Sequence, residues 1–251
     1  MWQKFYDVAK RQIEGGKLKK AESQAIKALE AAEAGKAPER ILKSLYLLCD
    51  IYADTKNPLA VETARKAVAV AEEHYGADSE DMYAALDRLA ASLLSEGTIE
   101  EFQYTQMKAL ELAEKQDNYL GQVRALDKLV GFYISTSTFE KAETIFLKLL
   151  DLIKKYDGAD SNSAFEEVPT YYKILCGLGR TEEAAALKEI LSNDSRVALG
   201  LNESTENTVT DHGVAESFAP VREALRTLAP RVIVPPCRDP IPRLDELRNQ
   251  R

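Results

Sequence analysis

The chain has 251 residues, 45% of them hydrophobic and 29% charged, with a formal charge of -8 and a pI near 5.1. That composition belongs to a soluble globular protein able to bury a core, and its acidity argues against nucleic acid or an anionic membrane as partner, because phosphate binding needs a basic face. Three scattered cysteines (Cys49, Cys176, Cys237) and two histidines (His74, His212) exclude a disulfide framework, a Cys-rich zinc site and His-based catalysis.

Five short turn segments recur along the chain: Gly16 to Ala21, Thr55 to Ala60, Gly97 to Phe102, Ser137 to Ala142 and Gly179 to Ala184, their last residues spaced 39, 42, 40 and 42 apart. Before each lies an apolar ladder: Phe5/Val8/Ala9, Leu45/Leu48/Cys49/Tyr52, Leu86/Leu89/Ala90/Leu93, Leu126/Leu129/Val130/Tyr133 and Val168/Tyr171/Tyr172/Leu175. Spacings of three, four and seven put each ladder on one helix face. Seven positions after each segment stands Ala28, Ala67, Ala109, Leu149 or Leu191. Each unit therefore reads as helix, turn, helix, giving five pairs over 1–194. Gly16, Gly97 and Gly179 supply the positive φ that ends a helix. In the second unit Asn57-Pro58 replaces glycine, with one extra turn residue; Pro58 and Pro169 both suit a helix's first turn. Between units, His74 to Ser79 nearly repeats as Tyr156 to Ser161, with Gly76 and Gly158 as stops and Asp78/Ser79 and Asp160/Ser161 as caps.

No catalytic constellation emerges. Gly15-Gly16 and Gly177-Leu178-Gly179 join helix to helix, so neither is a phosphate loop. Glu100/Glu101 and Glu182/Glu183 open helices, where the dipole favours negative charge. Cys49 and Cys176 fall on first-helix faces as small hydrophobes, and His74 closes a helix. The sequons at Asn193 and Asn202 lack a secretory signal, and no stretch approaches the ~18 apolar residues of a membrane span. A non-enzymatic, cytoplasmic protein with no metal and no cofactor is expected.

The turn Gly-x-[aliphatic or aromatic]-x-[Glu/Lys]-Ala, the pairs Ala28-Leu29 and Ala109-Leu110, and the small residues Ala9, Cys49 and Ala90 resemble the tetratricopeptide repeat (TPR) family. The resemblance covers residues 1 to about 194. The units exceed the family's usual ~34 residues and are similar to the longer repeats of kinesin light chains, although no heptad segment precedes them. Phe102 departs from the pattern's alanine, and Gln106 and Lys188 from its buried apolar residues. The resemblance implies an all-α, right-handed α-solenoid whose first helices line a concave groove for a protein or peptide. Carried over by position, that groove holds Tyr6, Lys10, Lys43, Tyr46, Asp50, Asp54, Asp87, Ala91, Ser95, Arg124, Asp127, Ser135 and Lys173. Its aspartates have the wrong sign to clamp a terminal carboxylate; beside Tyr6 and Tyr46 they suit a basic peptide.

The charge is unevenly spread. Residues 1–220 carry -11, while 221–251 hold seven arginines against four acids, a net of +3; every lysine lies at or before Lys188. Gly200 to Gly213 reads as a flexible linker after a boundary near Asp194. Residues 195–251 form an Arg/Pro-rich, mostly disordered tail with one short helix at 214–229. No PxxP spacing occurs among Pro235, Pro236, Pro240 and Pro242. The first functional expectation is a scaffold or adaptor. The alternative is a regulatory subunit or sensor whose tail fills the groove in cis until displaced.

Overall fold

The computed structural model describes residues 1–157 and 167–188, and every regular element among them is an α-helix. In chain order these are α1 (Trp2–Glu14), α2 (Leu18–Ala34), α3 (Pro38–Thr55), α4 (Ala60–Tyr75), α5 (Glu80–Glu96), α6 (Ile99–Lys115), α7 (Tyr119–Ser135), α8 (Phe139–Tyr156), α9 (Val168–Gly177) and α10 (181–188). The chain divides into two compact units, Met1–Ala125 and Leu126–Arg251, the division falling within α7. The boundary near Asp194, the caps at Asp160/Ser161, the tail 195–251 and its expected helix at 214–229 lie outside the described residues.

Local chemistry places the helix ends. Ser79 caps α5, its hydroxyl accepting from the Met82 amide at 3.0 Å, with Glu80 and Asp81 in the first turn facing the positive end of the dipole. Gly97 closes α5 at φ +85, and the Thr98 amide bonds back to the Leu93 carbonyl at 3.0 Å. Where glycine is missing, Lys36, Lys56, Asp117 and Ser137 take the left-handed conformation instead, at φ 48 to 56. The turn within the second repeat spans 56–59, longer than those within the first and third repeats. Pro58 lies inside that turn rather than in the first turn of α4, and the Asn57 side chain accepts from the Leu59 amide at 3.0 Å. Pro169 does open α9.

In unit 1 the core is a series of neighbour-to-neighbour layers. One layer joins Ala9, Ala21 and Ala25 to Leu47, Leu48, Ile51 and Tyr52 of α3 and Ala60 of α4. The next joins Leu42 and Leu45 to Ala67, Ala71, Met82, Leu86, Ala109 and Leu112. On α2 and α4 the inward residues are mostly alanines, which let neighbouring helices approach closely. Unit 2 buries Phe146 of α8 against Tyr171 of α9, the rings stacked at 5.1 Å and 3°. There the first-helix end Gly177 meets Phe139 so closely that an added Cβ would lie 2.2 Å from the ring.

Some packing expectations change. Cys176 is exposed, not packed, whereas Cys49 is buried and its thiol is pushed up to about 12 by that burial. Lys188 is exposed, because the inward position of α10 belongs to Leu187. Phe102 and Gln106 are wholly buried; the Gln106 amide donates to the Ala125 carbonyl at 3.4 Å, and its oxygen has no partner.

Candidate functional site

In unit 1 the first helices pack on one another, α1 on α3 and α3 on α5, so their outward residues share a face. Tyr6 stacks on Trp2 at 5.0 Å, and the Trp2 indole donates to Ser44 Oγ at 2.9 Å, fixing α1 against α3. Lys10 and Asp54 are exposed, one on α1 and one near the end of α3. Lys43 pairs with Glu39 at 2.6 Å one turn away, which holds the Glu39 carboxyl below its usual range. Asp87 is half-buried on α5, with Ala91 and Ser95 one and two turns beyond it, and Arg124 is exposed on α7. Asp127, Ser135 and Lys173 are exposed residues of unit 2.

The structure joins two of the predicted residues through one that helix-face periodicity does not mark. Arg88 of α5 reaches back to α3, donating from Nε to Asp50 Oδ1 at 3.0 Å and from Nη2 to Oδ2 at 3.3 Å. Its guanidinium lies 4.4 Å over the Tyr46 ring, and Nη1 donates to the Ala84 carbonyl at 3.2 Å. Tyr46 in turn donates from its hydroxyl to the Asp81 carbonyl at 2.6 Å, and burial raises its hydroxyl pKa. Bidentate pairing and ring stacking are the two contacts a guanidinium makes best. Asp50 is therefore occupied rather than open, a correction to its expected availability.

Arg88 lies two residues before the ladder residue Ala90, off the apolar face, in a slot that holds Asp7, Leu47, Lys128 and Thr170 in the other repeats, so neither the ladder nor the repeat marks it. The usable signal was opposite charge one repeat apart. It recurs in Arg65–Glu101 at 2.8 Å and Lys115–Asp78 at 3.5 Å.

Beside this cluster a depression of about 660 Å³ opens between the first turns of α5 and α7, lined by Glu80, Asp81, Tyr83, Ala84 and the run Gln116 to Leu120. Tyr83 closes its base, donating to the Gly121 carbonyl at 3.1 Å, and burial pushes its pKa up to about 12. Gln116 donates to the Asp78 carbonyl at 2.9 Å, while its oxygen is sealed from solvent without a partner. None of these lining residues was singled out from sequence, since helix-face periodicity says nothing of loops that meet across repeats.

The architecture is that of TPR-like repeats, and solved structures share it. The fold matches the nearly identical TPR-like repeats of a kinesin light chain-type protein from Podosopora anserina at a TM-score of 0.68 and 14% identity, over 80% of this chain and 97% of that one. A point-substituted form of that protein gives 0.66 and 15%, over 74% and 91%. BtubC (BKLC) from P. vanneervenii gives 0.68 and 17%, over 83% and 84%. At such identity the likeness establishes the fold alone. No protein-family model matches the sequence, and no curated protein matches it. No described helix is long and apolar enough to cross a membrane.

Proposed function

We propose that the chain is a non-catalytic cytoplasmic adaptor that holds a basic segment of a protein partner on the first-helix face of unit 1. The residues engaged are Tyr6, Lys10, Lys43, Tyr46, Asp54, Asp87 and Arg124, while Arg88 competes with the partner for Asp50 and the Tyr46 ring. A repeat fold that occurs in known TPR proteins supports an interaction role in general. The observation that carries the basic-partner reading is the Tyr46–Asp50–Arg88 cluster, in which this face already accommodates a guanidinium. Charge agrees: residues 38–115 hold 15 acids against eight bases, a net of -7, whereas residues 1–37 carry +3. Asp127 and Lys173 of unit 2 offer a separate surface for the same partner. The test is affinity capture with wild type and with Asp54→Lys, which reverses an exposed charge at the end of α3. Recovery of the same partners in the same yield would remove the face from consideration.

The second reading, a regulatory tail acting in cis, concerns residues outside the described ones. What favours it is the arginine-only composition beyond Lys188; what weakens it is arithmetic. Residues 1–188 carry only -6, and residues 189–220, which include the linker, carry -5 of their own, enough to neutralise the +3 that follows. Truncation at Asp194 should raise partner affinity if the tail competes, and unchanged affinity dismisses it.

A further inference from the structure

The turns that join the two helices of each repeat in unit 1 lie along one edge, because α1, α3 and α5 pack in sequence and each is followed directly by its turn. Contacts between repeats hold that alignment: Asn57 donates to Glu22 Oε1 at 3.4 Å, and Arg65 of α4 pairs with Glu101 of α6 at 2.8 Å. The edge changes character along its length. At the α1–α2 turn, residues 15–20 supply Lys17, Lys19 and Lys20, all exposed, and no acid. At the α5–α6 turn, residues 94–101 supply Glu96, Glu100 and Glu101 and no base. Three large apolar side chains on the same edge are open to water: Leu59 of the α3–α4 turn at 48%, and Leu94 and Ile99 at 41% each. Ion pairing divides the same way. Among the described residues none of the eight bases of 1–37 forms an ion pair, whereas Lys43, Arg65, Lys66, Arg88 and Lys115 do so among the eight of 38–115. The lysines of the α1–α2 turn are left over, and so are Glu96 and Glu100.

We propose that this edge is the interface with a second copy of the chain, the two edges running antiparallel so that Lys17, Lys19 and Lys20 of each copy face Glu96 and Glu100 of the other. A two-fold arrangement makes both electrostatic contacts at once and sets Leu59 of one copy against Leu59 of the other near the axis. The lysine stems pass over Leu94 and Ile99 while their ammonium groups reach the carboxylates, so the apolar side chains leave water without burying a charge. A second copy is selected over another occupant because each half of the edge finds its complement on the chain itself. Basic at one end, acidic at the other and apolar between is a self-complementary pattern, whereas an edge for an unrelated charged partner needs one sign only. Exposed apolar side chains rimmed by charge also have the make-up of a protein contact. The edge contains none of the residues assigned to the first-helix face, so the dimer does not rest on the basic-partner reading.

The experiment measures the mass of the full chain by sedimentation equilibrium over a wide concentration range, at low and at high salt. The wild type should form a dimer whose dissociation constant rises with salt, because exposed charge pairs are screened. Two variants reverse the charges, one carrying Lys17→Glu, Lys19→Glu and Lys20→Glu, the other Glu96→Lys and Glu100→Lys. Each alone should dimerise at least ~10-fold more weakly, since like charges then meet at both ends of the interface. An equimolar mixture of the two should associate again, because each altered edge faces its complement in the other variant. That recovery, with circular dichroism matching the wild type, certifies that both variants fold. Leu59→Ser should weaken the wild-type dimer with its salt dependence kept. A monomer at every concentration overturns the proposal. A dimer that both charge variants leave intact places the interface elsewhere, open-ended assemblies replace the two-fold contact by a head-to-tail one, and failure to recover on mixing shows that these charges do not face each other; each of these overturns it as well.

Discussion

Each unit contains an arginine that reaches back to a carboxylate of the preceding repeat, Arg88 to Asp50 across 38 positions and Arg180 to Glu143 across 37. In unit 1 the pair is open to solvent, the side chains 29% and 55% exposed. In unit 2 Glu143 is only 13% exposed; it also accepts from the Tyr171 hydroxyl at 3.3 Å, while Arg180 grips Glu183 through two further bonds of 2.6 and 2.7 Å. The same reach serves two ends. With its carboxylate nearly buried, the pair staples the start of α10 to α8; with its carboxylate open to water, it is screened and adds little to stability while tying Tyr46 and Asp50 of α3 to α5. A second contrast runs through the alanine slot of the turn, where Phe102 stands alone against Ala21 earlier in unit 1 and Ala142 in unit 2, all three wholly buried.

The largest effect should come from Phe102→Ala, which restores the repeat pattern and yet empties a filled site. Loss of a buried phenylalanine costs about 3–5 kcal/mol, read as a fall in the urea midpoint of the full chain. A neutral result would mean that unit 1 closes over the gap and that its core is looser than that of unit 2. Next stands Arg180→Ala. It strands a nearly buried carboxylate, and with the arginine itself partly exposed the loss should be about 2–3 kcal/mol. Arg180→Lys should fall between, since one ammonium cannot bridge Glu143 and Glu183 in the same geometry.

Smaller still is the alkaline dependence. Burial first, and the Asp87 and Glu143 carboxylates next, push Tyr83 and Tyr171 from the ordinary 10.0 up to about 12. Above pH 10.0 the unfolded chain releases these phenolic protons while the folded chain keeps them. Their contribution is therefore intact below that pH and is lost as pH rises towards about 12. Circular dichroism across this window, with tyrosinate absorbance recorded alongside, should show unfolding that Tyr171→Phe delays in unit 2 and Tyr83→Phe in unit 1. Loss of structure well below pH 10.0 would assign alkaline unfolding to other groups.

The helix pairs could be read from sequence because their causes are local. Gly16, Gly97 and Gly179 take the positive φ their turns require, Ser79 caps α5, and Ala21, Ala28, Ala67 and Ala109 occupy the closest contacts. Pro58, Cys176 and Lys188 were misplaced by one step of the helix or turn, a shift that periodicity alone does not resolve. The candidate site was legible only as a face. Which carboxylates on it are occupied depends on how far one repeat slides along the next, and that offset brings Arg88 over Tyr46. No single helix encodes it.

The smallest expected effect is the most informative about that face. In a double-mutant cycle, Arg88→Ala and Asp50→Ala should each cost under ~1 kcal/mol, with a coupling energy that declines as salt is added. The stability change is slight because solvent already screens the pair. Binding should move the other way from stability: with Arg88 gone, Asp50 and the Tyr46 ring become acceptors for a partner's cation, so an arginine-bearing peptide should bind Arg88→Ala more tightly than wild type. Asp50→Ala should show no such gain, because Arg88 stays stacked on Tyr46 and its own positive charge then repels the guest. A gain in both variants would mean that removing charge of either sign merely loosens unit 1, and a gain in neither would mean that the cluster holds α3 to α5 and recognises nothing.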